Sequence, residues 1–305
     1  MKMSLFITGA SGFIAMNFLK KINFKEYDNV YCLSRNENVT LGSLSKYKNF
    51  KFIKGSLFDT DRYAHLLASV DAVLHFAAAT GKARPEDYFR TNVEGTELLI
   101  KLCEKASVKN FLFISSISVK FDDISKYYYA QSKKTAEESV KKCTMNYTIV
   151  RPTIVIGSGS SILKSLLKLA DKSIVPIFGD GKSKIQPVYV DDLSDCILSI
   201  INENIFNNEI YEIGGPEVIT IEAFIKSIHR HMFNKEPKTF HIPLNFVINI
   251  LSVFEKFFYS YLPVNIGQLS SFRYDGTAED NAVLLRRIPK MKSIDEMLTL
   301  ALNNI

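Results

Sequence analysis

Short apolar runs alternate with helical stretches along the first half of the chain, and that rhythm limits the fold more than any single motif. Ser4–Ile7, Val30–Leu33, Phe50–Ile53, Asp71–Phe76, Asn110–Ile114 and Tyr147–Val150 each have the length and apolar content of a strand. Between them apolar residues recur at helical spacing, as at Phe13, Phe18, Leu19 and Ile22. Pro85 opens a longer helical stretch from Glu86 to about Ala106, and Lys126–Cys143 reads as another helix. Strands joined through helices run parallel, so the pattern predicts an α/β fold, a doubly wound parallel sheet covered on both faces. Such sheets bind ligands beyond the C-terminal ends of their strands. Every residue assigned a function below lies at one of those ends.

The first strand runs into Thr8-Gly9-Ala10-Ser11-Gly12-Phe13-Ile14-Ala15. A helix N-terminus offers N–H groups without intrahelical partners, and glycines lacking side chains let a pyrophosphate reach them. Glycine marks ordinary turns as well; the placement between a first strand and a first helix is what favours a phosphate cradle. The pattern is Thr-Gly-x-x-Gly-x-x-Ala, not Gly-x-Gly-x-x-Gly. It resembles the glycine motif of the extended short-chain dehydrogenase/reductase family, the group holding nucleotide-sugar epimerases and dehydratases. Ala15 stands where that family has its third glycine. The resemblance implies a Rossmann-type sheet and a nicotinamide cofactor.

Tyr129 and Lys133 project from one helix face, one turn apart. A phenol titrates near pH 10 and is a poor acid or base at neutral pH. A lysine ammonium nearby, together with the positive charge of an oxidised nicotinamide, is expected to lower that value and let Tyr129 exchange a proton with a substrate hydroxyl or carbonyl. Ser115 and Ser116 end the fifth strand, where a hydroxyl can donate to a developing alkoxide. Taken singly, each is as well read as an exposed helix face or a polar strand end. In this order they resemble the same family, which implies Ser116 as carbonyl anchor, Tyr129 as acid/base and Lys133 as ribose binder and pKa shifter. His75-Phe-Ala-Ala78, Thr91-Asn-Val-Glu-Gly-Thr96 and Arg151-Pro152-Thr153 also look like family motifs, with Asn92 in a structural role pinning neighbouring strands.

The strand ends supply the expected cofactor contacts: Thr8, Gly9, Ser11, Gly12, Phe13, Ile14, Arg35, Ser56, Leu57, Phe76, Ala77, Ala78, Tyr129, Lys133 and Pro152. NAD-preferring enzymes usually carry a carboxylate at the end of the second strand. Here that strand ends Cys32-Leu-Ser-Arg-Asn36, with no carboxylate before Glu37. Arg35 suits a 2′-phosphate and Ser34 adds a small donor, so NADP is expected in preference to NAD.

Beyond Pro152 the rhythm loosens. Residues 1–156 are read as the dinucleotide-binding domain and 157–305 as a smaller, mostly helical substrate lobe, partly interleaved with the sheet. Gly179-Asp-Gly181 and Pro187-Val-Tyr-Val-Asp-Asp192 look like the family's substrate loop and returning strand, with two departures. Ile154 stands where sugar-nucleotide enzymes usually have asparagine, and Ile185 beside Gln186 where they often have an arginine for the substrate diphosphate. The Gln-Pro-Val-Tyr-Val wording resembles a branch that includes the nucleotide-binding accessory subunit of respiratory complex I. Two functions therefore stay in play. The first is a ketoreductase or epimerase acting on a nucleotide-linked or lipid-linked sugar, with ketoreduction ranked first. The second is a non-catalytic nucleotide-binding scaffold. A dehydratase needs an acid near Tyr129, and only Asp122 and Asp123 lie close in sequence.

On a helix, Asn245, Asn249, Ser252, Lys256 and Ser260 form a narrow polar stripe in an otherwise apolar stretch that reaches Leu262. Core packing, a subunit contact, a hydrophobic substrate such as a lipid-linked sugar, and peripheral membrane contact all cover such a face. Glu255 and Lys256 interrupt it before it reaches spanning length. A net charge of +6 over 305 residues gives no case for nucleic acid, and Lys46, Lys48, Lys51 and Lys54 read as a solvated sheet edge. Cys32, Cys103, Cys143 and Cys196 are too scattered for a metal motif or a disulfide framework, and no metal is expected. The first strand begins at once, leaving no room for a signal peptide, so a cytoplasmic homodimer is expected.

Overall fold

The computed structural model describes residues 2–258, 266–279 and 290–303, without the side chains of residues 252–258. Six strands, β1 (Met3–Thr8), β2 (Tyr27–Ser34), β3 (Phe50–Lys54), β4 (Ala72–His75), β5 (Asn110–Ile114) and β6 (Asn146–Pro152), build one parallel sheet. A seventh strand, Glu209–Ile213, joins it beside β6, again in parallel. Across the sheet the order is Glu209–Ile213, β6, β5, β4, β1, β2, β3. The chain therefore works outward from β1 in both directions, and the order reverses between β1 and β4. In register, Thr8 stands beside Leu33 of β2 on one side and His75 of β4 on the other.

The helices cover both faces, as the alternation predicts. Helix Phe13–Lys21 buries Ala15, Phe18 and Leu19. They share a core with Leu193, Cys196, Ile197 and Ile200 of helix Val190–Asn202, and Lys21 ties the two helices through Asp195 at 2.5 Å. On the opposite face Leu99, Ile100 and Cys103 pack with Ala136 and Val140 of helix Tyr128–Lys141. At the β3 edge Lys51 and Lys54 are exposed, as expected.

The long stretch after Pro85 differs from the single regular helix the spacing predicts. It runs as an α-helix over Pro85–Phe89, a π turn over Arg90–Glu94 and an α-helix again over Gly95–Lys105. Asn92 accounts for the wide turn. It takes the amide of Ala79 at 2.7 Å and donates to the Ser132 hydroxyl at 2.9 Å, tying the loop after β4 to helix Tyr128–Lys141. Asn92 is thus structural, but it pins a loop to a helix instead of neighbouring strands.

The second half carries helices Ser161–Ala170, Ile221–Phe233 and Ile294–Leu302 around their own core of Leu163, Leu166, Phe224, Ile228, Met297 and Leu298. Thr220 and Ser293 cap the last two, the latter in a full capping box. Ile174–Phe178 and Lys238–Ile242 form a parallel pair that the sequence hides, since Pro176 interrupts a five-residue run. Helix Leu244–Phe258 sets Leu244 and Ile248 against Leu269 and leaves Phe246 exposed, along with Asn245 and Asn249 of the polar stripe. Tyr259–Leu262, part of the apolar stretch read from the sequence, lies outside the described residues. No described helix is long and apolar enough to cross a membrane.

Candidate active site

Gly9 carries φ +67°, a left-handed conformation that glycine adopts freely. A Cβ there would stand 2.5 Å from the Ala77 amide nitrogen and 2.6 Å from its Cα. Only glycine lets the turn after β1 lie against the turn after β4, at the point where the strand order reverses. The amide of Gly12 closes this turn on the Gly9 carbonyl at 2.8 Å. Helix Phe13–Lys21 has no acid in its first turn and no side-chain cap on its leading N–H groups. Behind the turn, Thr8 and His75 share a hydrogen bond of 2.6 Å, and His75 meets Thr96 at 2.9 Å. Burial, with help from the Lys133 charge, pushes His75 down to about 3, so it stays neutral and serves as a strut.

A cleft of about 360 Å³ opens above this turn. Of the expected contacts, Gly9, Ser11, Gly12, Arg35, Ser56, Leu57, Phe76, Ala77 and Ala78 line it. Arg35 is exposed on the rim, and among the described residues it makes no ion pair. Ser34, read as a free donor, instead spends its hydroxyl on Ser11 at 2.6 Å and on the Asn36 carbonyl. Six predicted contacts do not line the cleft, Tyr129 and Lys133 among them. Thr8 is fully buried in its bond to His75. Phe13 rests against the Gly157–Gly159 loop, where a Cβ on Gly157 would meet its ring at 3.2 Å. Ile14 packs on the core, and Pro152 is buried at the end of β6 opposite Ile213. Leu33, Gly55, Phe58, Asp87, Arg90 and Thr91 also line the cleft and were missed. Phe58 directly follows a predicted contact, and Arg90 directly precedes the Thr91–Thr96 motif, so adjacency was the signal available.

Ser116, Tyr129 and Lys133 come together at the end of β5. Ser116 caps the short turn Ile117–Lys120, meets the Ser118 hydroxyl at 2.9 Å and stands near the Tyr129 phenol. Ser115 is buried, and its hydroxyl has no partner among the described residues. The expected lowering of the Tyr129 pKa is not found in this geometry. Burial pushes the phenol up to about 12, the nearby Ser116 hydroxyl works against that rise, and Tyr88 adds to it. Lys133 is 2% exposed, with its ammonium 4.0 Å from the centre of the Phe113 ring. Burial pushes it down to about 7, and the Glu137 carboxylate pulls the other way. Glu137 is itself claimed by Arg151, which reaches its two oxygens at 2.9 and 2.6 Å and touches Glu212 at 3.3 Å. Lys133 is therefore an incompletely neutralised cation inside the protein.

The two departures in the second half, Ile154 and Ile185, pack against the core of the helical lobe. Gln186 donates to the Gly215 carbonyl at 2.7 Å and accepts from the Ala278 amide at 2.9 Å, holding the segment that passes Tyr274. Asp122 and Asp123 are exposed, and Asp123 accepts from the Ser125 amide at 2.8 Å. Instead of an acid, aromatic rings surround Tyr129, with Tyr127 at 5.9 Å and Tyr88 at 6.0 Å between centroids. Among the described residues no cluster of His, Cys, Asp or Glu is able to hold a metal ion.

A glycine cradle that a Cβ would fill, capped by free helix N–H groups and flanked by Arg35, fits a dinucleotide with its pyrophosphate over Gly9–Gly12. Comparison with known proteins agrees. The chain is similar to the UDP-glucose 4-epimerase of Vibrio cholerae, 29% identical over 248 residues covering 73% of this chain and 74% of that one. It is also similar to NADH dehydrogenase (ubiquinone) 1 alpha subcomplex subunit 9 of Arabidopsis thaliana mitochondria, 23% identical over 236 residues, 74% of this chain but only 58% of that protein. The fold matches that of Bacillus cereus UDP-glucuronic acid 4-epimerase in complex with UDP-glucuronic acid and NAD. The TM-score is 0.75 at 19% identity, over 99% of this chain and 98% of that one. A family profile matches residues 5–214, and on it the chain belongs to the NAD dependent epimerase/dehydratase family.

Proposed function

We propose that this protein is an NAD(P)-dependent ketoreductase or epimerase acting on a nucleotide-linked or lipid-linked sugar. One observation carries the reading: Ser116 stands close enough to the Tyr129 phenol to favour its charged form, and Lys133, one turn further along the Tyr129 helix, is buried at an energetic cost. A bound nicotinamide cofactor supplies a hydride acceptor or donor. The chain's own groups handle the rest. The Tyr129 hydroxyl gives a proton to, or takes one from, the sugar oxygen, and Ser116 Oγ donates to the same oxygen as negative charge gathers on it. Lys133 binds the cofactor ribose and, once a partner for its charge is present, holds Tyr129 closer to its phenolate form. Gly9, Ser11 and Gly12 hold the pyrophosphate. Phe76, Ala77 and Ala78 wall the cleft above β4.

A dehydratase reading is disfavoured by the exposure of Asp122 and Asp123. The scaffold reading draws on the likeness to the Arabidopsis subunit. Against it stands Lys133, since a scaffold has no chemical use for a buried cation on the same helix face as Tyr129. We favour NADP over NAD because Arg35 sits on the cleft rim with no carboxylate partner among the described residues. A homodimer is the assembly this reading carries, and light scattering tests it.

The deciding experiment offers the purified protein a panel of UDP- and dTDP-linked sugars and their 4-keto forms. Reduction consumes NADPH in step with a 4-keto sugar. Epimerisation interconverts two sugars by NMR with no net change in cofactor. Tight cofactor binding with neither reaction across the panel, and the same from lipid-linked sugars, supports the scaffold instead.

A further inference from the structure

The cleft holds an arginine that neither the sequence motifs nor the proposed chemistry uses. Arg90 is the first residue of the π turn and is exposed on the cleft rim. Its guanidinium lies 5.2 Å from the centre of the Phe58 ring, which is 38% exposed and lines the same cleft. Seated on a ring face, a guanidinium keeps its in-plane N–H donors for an anion. The platform is held in place from beneath. Leu57 packs so close to the helix that a Cβ on Gly95 would stand 2.7 Å from its Cδ1, which fixes the loop after β3 against the element carrying Arg90. Asn92, two residues on, turns the other way toward Ala79 and Ser132, and the wide turn allows both directions.

The ionisable groups lining the cleft are Arg35, Asp87 and Arg90. Asp87 is one turn before Arg90, yet among the described residues the two make no ion pair. Asp59, in the same loop as Phe58, is occupied by the Ser56 amide at 2.7 Å and hydroxyl at 2.8 Å. Two guanidiniums thus border the β2 and β3 side of the cleft without a carboxylate bound to either.

We propose that Arg90, seated on Phe58, is a second determinant of cofactor choice, binding the adenosine 2′-phosphate of NADP together with Arg35. This rests on the NADP reading above. It goes further by assigning half of the recognition to an element that the second-strand rule ignores.

The test is equilibrium binding by calorimetry of NADPH, NADH and adenosine 2′,5′-bisphosphate to wild type, Arg35→Ala, Arg90→Ala, Arg90→Lys and Phe58→Leu. Wild type is expected to prefer NADPH. Arg90→Ala should weaken NADPH and the bisphosphate on the order of ten- to a hundredfold, the range for a charge-assisted contact, while NADH changes by less than about threefold. Arg90→Lys keeps the charge and loses the fork, and Phe58→Leu loses the platform, so both should fall between. If Arg35→Ala erases the preference and Arg90→Ala leaves it intact, the assignment to Arg90 is wrong and the NADP reading survives. If Arg90→Ala weakens NADPH and NADH equally, Arg90 serves the base and not the phosphate, and the proposal fails. A wild type without preference for NADPH overturns the NADP reading and this proposal with it.

Discussion

Replacing Lys133 with methionine should make the cofactor-free protein more stable and useless for chemistry. The magnitude follows from burial. Lys133 is 2% exposed, and its pKa is pushed down to about 7, against about 10.4 in an unfolded chain. At roughly 1.4 kcal/mol per pKa unit, the buried ammonium costs the fold about 3 to 5 kcal/mol wherever it is charged in both states. That condition holds below about pH 7. Between about pH 7 and 10 the folded chain releases the proton while the unfolded chain keeps it, so stability rises with pH and the cost fades. Methionine is of similar length, packs well on the Phe113 face and carries no charge. Lys133→Met should therefore melt above wild type by roughly 5 to 10 °C near pH 6, and the gap should close to a degree or two by about pH 9.5. Scanning calorimetry of both proteins across that range measures the difference, and the difference cancels every other titrating group. Cofactor affinity and turnover should fall at every pH. A variant that melts below wild type near pH 6, or a gap that ignores pH, would falsify the reasoning, because the ammonium would then be stabilised where it sits.

Gly9→Ala forces a left-handed backbone onto alanine, about 1 to 2 kcal/mol, and drives its Cβ into the Ala77 backbone at 2.5 Å. We expect a total loss of about 2 to 5 kcal/mol by denaturant titration and cofactor binding that is weakened beyond detection; wild-type affinity would dismiss the cradle. Tyr129→Phe should leave cofactor affinity within about twofold and lower turnover by about a hundredfold or more, since only the transferable proton is lost, and full activity would remove Tyr129 from the mechanism. Gln186→Leu removes the acceptor for the Ala278 amide and the donor to Gly215, so hydrogen exchange at Ala278 should quicken at least about tenfold while β1 amides are unchanged.

The sheet was legible because the strands centre on short apolar runs and the helices between them show their own period. Asn110–Ile114 is the same in sequence and structure, and the other strands differ by a few residues at their ends. The cleft was legible wherever the backbone forms it, at Gly9, Gly12 and Ala77–Ala78, since strand ends fix backbone positions. Side-chain directions were less so. Phe13 follows the glycine turn directly yet faces the Gly157 loop, and Ser34 turns inward to Ser11. Neither direction is written in a local pattern. The π turn was hidden for a related reason. It coincides with the tertiary contacts of Asn92 to Ala79 and Ser132, and helix periodicity does not register a single inserted residue. The burial of Lys133 and Tyr129 was not legible either, because sequence gives the spacing of charges and not their burial.

Glu209–Ile213 closes the sheet beside β6 although it is separated from that strand by two helices and several loops. A polypeptide cut before Gly157 would therefore be an unfinished object, not a free-standing nucleotide-binding module. Its β6 would present a bare row of N–H and C=O groups, a template for pairing with other chains. Phe18 and Leu19 would lose the cover of Leu193, Cys196 and Ile197. Expressed alone, such a fragment should collect as aggregate. Supplied with the remaining piece in trans, it should recover solubility as the missing strand zips into place, which turns the break at Gly157 into a site for fragment complementation.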